Sequence, residues 1–181
     1  NHGPTVLVSS VAGGRRNLMA AAWSMPVEFT PPRIAVVIDK STFTREQVAA
    51  TGMLALNLPC RALADLTYTV GSVSGRDEPG LDKFDQFGIA AFNGPVLGLP
   101  LVDGCIGWLE CRVIDEPHTE QAYDTFFVEV VSAQADPRVF SEGRWHPDPA
   151  HPALQTLHHL GAGLFAVAAD TVQATVLSGR E

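Results

Sequence analysis

Apolar and polar positions fall into short runs along most of this chain, and the runs predict strands more often than helices. Residues 5–11 are β-branched and apolar, and they stop at Gly13-Gly14, a turn signal. Residues 17–23 resume as a second strand, so residues 5–23 read as a hairpin. Pro26, Pro31 and Pro32 exclude a helix up to Ile34. Ile34-Ala35-Val36-Val37-Ile38 is a continuous apolar run of strand length, expected to be buried on both faces. Thr44 and Gln47 fit a capping box, residues 45–51 propagate a short helix, and Gly52 suits its stop. Residues 53–58 return as a strand ended by Pro59. Leu63, Leu66 and Val70 recur at helical spacing within residues 62–70. Residues 71–80 form a polar, glycine-bearing loop, and residues 81–87 a short helix closed by Gly88. Further on, residues 106–114 and 125–133 read as strands paired through a connection at 115–124, and residues 139–145 as a shorter strand. Three prolines and two histidines make residues 146–152 an irregular excursion. Many short strands with small helical insertions argue for a closed antiparallel barrel rather than a βαβ sheet.

Composition narrows the class. At 181 residues the prior is one domain with room for a sizeable core. Hydrophobic residues at 46% and charged residues at 18% describe a globular chain. The slightly positive mean hydropathy points to extra apolar surface of the kind a dimer interface absorbs. Apolar runs are broken well before membrane-spanning length, and no secretory signal is visible at the start. The net charge of -8 is uneven: residues 1–90 balance eight basic against eight acidic side chains, whereas residues 91–181 carry four against twelve. An acidic chain without a basic face is a poor partner for nucleic acid. Cys60, Cys105 and Cys111 are odd in number and form no Cys-x-x-Cys, which fits a reducing cytoplasm. Each reads either as a small buried hydrophobe or as a reactive thiol.

The candidate chemistry lies in the first half. Ser41-Thr42-Phe43-Thr44 sits where a strand ends and a helix begins, so free N–H groups, a helix dipole and three hydroxyls converge there. The arrangement suits a phosphate, and it equally suits ordinary helix capping. Ser74-Gly75-Arg76-Asp77 precedes Lys83, one of only two lysines, which can carry the charge a phosphate wants or form a solvated surface pair. In the stretch 17–23, the run Ala20-Ala21-Ala22 admits a planar ring to the backbone, Asn17 offers an amide and Trp23 a flat wall; tight barrel packing explains the same residues. His146, His151, His158 and His159 lack the spacing of a metal site and read as a solvated loop and dimer contact. Gly161-Ala162-Gly163-Leu164-Phe165-Ala166 matches a dinucleotide fingerprint in letters only, without the βαβ setting. No elbow motif supports a Ser-His-Asp hydrolase.

Asn17 to Trp23, Asn57-Leu58-Pro59, Ser74-Gly75-Arg76-Asp77 with Lys83-Phe84, Phe140 to Trp145 and Leu157-His158-His159, in this order, resemble the flavin reductase-like family of FMN-binding split barrels, within it the flavoredoxin-like branch. The resemblance runs from about Pro4 to about Phe165. It implies a mainly β fold: a six-stranded antiparallel, Greek-key-like split barrel with short helical insertions, forming one domain over residues 1–181. It implies FMN as cofactor, with Asn17, Leu18, Met19, Ala20, Trp23, Ser41, Thr42, Thr44, Asn57, Ser74, Gly75, Arg76, Lys83 and Phe84 around it, and a cytoplasmic homodimer with the flavin at the subunit interface. NADH or NADPH would deliver hydride to the flavin, so no catalytic side chain is named. Where many members carry a Gly-Asp-His-like triplet, this chain has Tyr123-Asp124-Thr125, so a histidine contact there is in doubt unless His118 substitutes. Three functions stay open: an NAD(P)H-dependent flavin reductase, a flavoredoxin-like electron carrier with a protein partner, and a non-redox binding barrel.

Overall fold

The computed structural model describes residues 3–77, 80–147, 149–168, 170–172 and 174. Strands β1 (Val6–Ala12) and β2 (Arg15–Ala21) form the expected hairpin, in register from Val6 opposite Ala21 to Ala12 opposite Arg15. Gly13 and Gly14 turn it with φ of 58° and 77°, the left-handed pair a two-residue hairpin turn needs. Strands β3 (Ser24–Phe29) and β4 (Pro32–Val37) follow, then helix α1 (Phe43–Thr51) and strand β5 (Met53–Leu58). A 3-10 turn at Arg61–Leu63 leads into α2 (Ala64–Ser72), and a short α3 spans Lys83–Gln86. The small hairpin β6 (Ala91–Asn93) and β7 (Pro100–Val102) precedes β8 (Gly107–Ile114), α4 (Pro117–Tyr123) and the long β9 (Thr125–Ala135). Two further hairpins close the described chain: β10 (Phe140–Ser141) with β11 (Arg144–Trp145), and β12 (Leu157–Gly161) with β13 (Leu164–Val167).

The main sheet is antiparallel and orders its strands β2-β1-β5-β8-β9-β4-β3. The mainly β class expected from the sequence holds, but the sheet has seven strands where six were expected. The added strand is β3, in which Pro26 interrupts the pattern; at the edge of a sheet the missing N–H costs no ladder bond. Ile34 to Ile38 is not buried on both faces. Ile34, Val36 and Ile38 are buried while Ala35 and Val37 are half-buried, a simple alternation. The connection 115–124 is helical because Pro117 presets the first turn of α4. Residues 139–145 make a hairpin rather than one strand, turning at Glu142 and Gly143 with φ of 51° and 74°.

Burial on both sides of β1 explains why Val6, Leu7 and Val8 are apolar in succession. Val6 and Val8 face the barrel interior with Ile34, Val36, Leu54, Leu56, Phe126 and Val128. Leu7 points the other way, joining Leu18, Val70, Phe84 and Val102 in a second core that fastens α2 and α3 to the outside of the β1–β2 hairpin. Fully burying each such side chain stabilises the fold by about 1.5–3 kcal/mol. This outer core fixes the C-terminal end of α2 and the start of α3 beside the outer strand β2. The fold is thereby arranged around one edge.

Candidate functional site

Beside that edge lies a cleft of about 270 Å3, bounded by β2, the first turn of α1, the last turn of α2 and the segment after it. Thr42, not Thr44, caps α1. Its extended backbone (φ -83°, ψ 147°) turns the hydroxyl onto the Arg45 N–H at 3.2 Å. Thr44 is instead the second helical residue, buried, and its Oγ1 accepts the Asn17 amide Nδ2 at 2.7 Å. The other end of that amide, Asn17 Oδ1, is buried without a hydrogen-bond partner among the described residues. An orphaned acceptor of this kind costs about 1–3 kcal/mol, and it lines the cleft beside helix N–H groups that have no intrahelical acceptor.

Gly75 and Gly71 keep the cleft open. A Cβ on Gly75 would meet the Phe43 ring at 2.5 Å and Asn17 Oδ1 at 2.9 Å; one on Gly71 would meet the Ala20 Cβ at 3.1 Å. Two arginines brace the walls. Arg15 lies over the Phe43 ring at 4.3 Å and donates to the Leu81 carbonyl at 2.7 Å and to the Gly75 carbonyl. Arg16 pairs with Asp82 at 2.8 Å and Asp85 at 2.6 Å. Burial works to raise the Asp82 carboxyl, but the Arg16 guanidinium and the α3 N–H groups outweigh it and hold Asp82 below its usual range. Asp82 also caps α3, accepting from Phe84 N at 2.8 Å.

That cap aims Lys83 inward. Lys83 is 2% exposed, and its Nζ donates to the carbonyls of Leu18 at 2.7 Å and Val70 at 2.8 Å. An ammonium has three donors, and two are used on the walls of the cleft that Lys83 lines. Burial pushes the Lys83 pKa down to about 8, with Asp77 opposing the shift.

The structure thus brings Asn17, Met19, Ala20, Ser41, Thr42, Thr44, Ser74, Gly75 and Lys83 to one cleft. The hydroxyls are already engaged locally: Ser41 Oγ donates to Asp39 at 2.6 Å, and Ser74 Oγ accepts from Arg76 N at 3.1 Å. The remaining candidates stand elsewhere. Leu18 and Phe84 are core residues. Asn57 is fully buried, its amide donating to the Leu7 carbonyl at 3.1 Å and to Ser9 at 3.2 Å while accepting from Val102 N at 2.8 Å, so it ties β5 to its neighbours. Arg76 is exposed, paired with Glu46 and donating to the Ser41 and Thr42 carbonyls, which fastens the 74–77 turn to the start of α1. Trp23 stands 60% exposed at the far end of β2, in a groove of about 280 Å3 shared with Met19, the three alanines, Val37 and Asp39. Sequence reasoning named Phe43 only as part of the 41–44 stretch and missed Val70, Gly71, Ser72 and Val73 as cleft residues, none of which carried a signal for a site.

In the strand-β9 connection, His118 is exposed on α4 and stacks edge-on with Tyr123 at 5.7 Å. Asp124, at φ 53°, faces Arg45 at 3.5 Å and Lys40 at 3.7 Å. The three cysteines are buried and free, and burial pushes the Cys111 thiol up to about 12, far from a thiolate nucleophile. Among the described residues, no three His, Cys, Asp or Glu side chains are placed to hold a metal ion, and no helix is long and apolar enough to cross a membrane.

Comparison with known proteins gives the same picture. The family model described as "Flavin reductase like domain" matches residues 1–154. The Escherichia coli K12 protein YddH, itself uncharacterized, is 54% identical over 96% of this chain and 91% of its own length. An FMN-binding domain of a flavin reductases-like enzyme from Shewanella baltica superposes with a TM-score of 0.91 at 41% identity, covering 97% of this chain and 91% of that one. Flavoredoxin of Desulfovibrio vulgaris shares the fold, with a TM-score of 0.79 at 23% identity over 96% and 90% of the two chains. A family match across most of the sequence, on a fold that places a donor-lined cleft along its outer strand, means that this chain belongs to the flavin reductase-like family.

Proposed function

We propose that the protein binds FMN in the β2 cleft and works as an oxidoreductase of the flavin reductase type, taking hydride from NADH or NADPH. The observation that carries this reading is the convergence on one cleft of an orphaned amide oxygen, a helix N-terminus and a buried ammonium. That set fits a ligand with hydroxyl donors and a phosphate: Asn17 Oδ1 lacks a donor, while the α1 N-terminus and Lys83 supply positive potential. Gly75 and Gly71 leave the space in which such a ligand sits against the backbone. FMN, when bound, supplies the hydride-accepting ring, and the protein's task is to hold and orient it.

In this reading Thr42, Thr44, Ser74 and Lys83 bind the phosphate end. Ala20–Ala22 and the Trp23 ring border the flat end, where Asp39 is held below its usual range by the Ser41 hydroxyl and N–H. Strand β3 supports a homodimer. Met25 is 62% and Phe29 93% exposed on an edge strand next to Trp23, an apolar patch of the kind a second subunit covers.

A flavoredoxin-like electron carrier is the second reading, favoured by the acidic excess of residues 91–181, which suits contact with a basic protein partner. Anaerobic mixing of the FMN-loaded protein with NADH or NADPH separates the two. Rapid bleaching of the flavin absorbance is expected for the reductase; loading without bleaching would leave the carrier, and a protein that refuses FMN would contradict both.

A further inference from the structure

A second, smaller cavity of about 150 Å3 lies on the outer face of β2, between α2 and the β12–β13 hairpin. It meets the first cleft at Ala20, Gly71 and Ser72, which line both. Its walls are the methyl groups of Ala20 and Ala22 and the rings of Tyr68, His159 and Phe165. Those walls are fixed by identifiable contacts. The His159 ring leans on Phe165 at a centroid distance of 5.1 Å, and the His159 N–H donates to Thr5 Oγ1 at 3.1 Å. Gly163 lets Tyr68 lie against the hairpin turn, since a Cβ there would stand 3.2 Å from the ring.

Among the described residues, two buried polar atoms of residues lining this cavity have no hydrogen-bond partner: Thr67 Oγ1 and His159 Nε2. Thr67 is fully buried, so its hydroxyl meets nothing unless something enters the cavity. Buried polar groups are normally paired, and one orphan beside another marks a place where a ligand completes the bonding. A single water occupies roughly 30 Å3, several times less than the space, and the methyl and ring walls offer further waters few partners. A cavity of about this volume holds a benzene-sized ring. None of the lining residues is charged, so a neutral ring is favoured.

We propose that this cavity is a binding site for a small neutral monocyclic aromatic carrying a hydroxyl group, a simple phenol. The ring packs between Tyr68 and Phe165, and its hydroxyl completes the hydrogen bonding of Thr67 and His159, each of which can donate or accept. The site rests on the proposed flavin reading to this extent: Ala20 to Ala22 line both this cavity and the groove assigned to the flavin ring, so phenol is titrated with and without FMN.

Calorimetric titration of the flavin-free and the FMN-saturated protein with phenol and with toluene tests this, because toluene has the same shape and lacks the hydroxyl. Phenol is expected to bind about tenfold more tightly than toluene, and Thr67→Val to shrink that preference while leaving toluene unchanged. In the unmodified protein, phenol should shift the ring proton resonances of Tyr68 and Phe165 and spare Trp23, a readout that stands even if the variant does not fold. Equal affinity for the two ligands, binding of neither, or shifts centred on Trp23 would overturn the assignment.

Discussion

The two ends of strand β2 differ in how much of their chemistry the subunit completes by itself. At the Asn17 end the walls are braced and the groups left open, Asn17 Oδ1 among them, face one cleft: Arg15 braces Gly75 and Leu81, Arg16 braces α3, and Lys83 spans the Leu18 and Val70 carbonyls. At the Trp23 end the strand runs out into exposed apolar surface, with Trp23, Met25 and Phe29 uncovered. The first end is rigid before any ligand arrives, so binding there loses little ordering entropy. The second is open and finished only by what covers it. In the proposed reading, the anionic group is held at the built end, and the ring, the reductant and a second subunit meet at the open end.

Filling the built end should have the largest effect. Gly75→Val places side-chain atoms against Phe43 and Asn17, and FMN affinity in a fluorescence titration is expected to fall by up to about 150-fold, the equivalent of overpacking costs of about 1–3 kcal/mol. Unchanged affinity would put the ligand elsewhere. Lys83→Met should weaken FMN by about 10–100-fold, the worth of one charge-assisted hydrogen bond, and barely change riboflavin.

The same lysine predicts a pH dependence. Its pKa in the free protein is about 8 against the ordinary 10.5, whereas a neighbouring phosphate favours the charged form. FMN affinity should therefore be flat between about pH 7 and 8, where the phosphate is already a dianion, and fall by up to tenfold per unit above pH 8, a dependence absent from Lys83→Met. Stability of the flavin-free protein runs the opposite way: between about pH 8 and 10.5 the unfolded chain binds the extra proton, so this contribution grows as pH rises. Denaturant titrations at pH 7.5 and 9.5 would show whether it does.

At the open end, Met25→Asp with Phe29→Asp should raise the dissociation constant of the proposed dimer at least about tenfold in sedimentation equilibrium, with FMN weakened as a consequence; an unaltered dimer would move the interface off β3, and a monomeric unmodified protein would remove the dimer from the proposal. The smallest effect is expected from Thr42→Ala, which removes the α1 cap at about 1 kcal/mol, visible as a lowered Tm.

The built end was also the more legible in sequence. Hydroxyls at Ser41, Thr42 and Ser74 and the scarce Lys83 stand in polar segments between apolar runs, and the fold brings those segments together. What stayed hidden depends on tertiary contact. Thr44 reads as a cap until the extended backbone of Thr42 is seen to take that role. Asn57 reads as a ligand because a buried amide and a binding amide look alike in one dimension, yet its bonds knit strands. Gly71 sits inside the last turn of α2, where only its approach to Ala20 shows why glycine is there. Strand β3 was masked by Pro26, which an edge strand accommodates. The short β6–β7 and β12–β13 hairpins carry too few alternating positions to stand out, and the second supplies two walls of the outer cavity.

The most direct test compares FMN with riboflavin, which differ only in the phosphate, by fluorescence titration of the purified protein at pH 7. A cleft built around the α1 N-terminus and Lys83 predicts FMN bound at least about 100-fold more tightly, from roughly two charge-assisted bonds, with about 10–100-fold of that preference lost in Lys83→Met. Equal affinity for the two flavins, or a preference that survives the substitution, would contradict it.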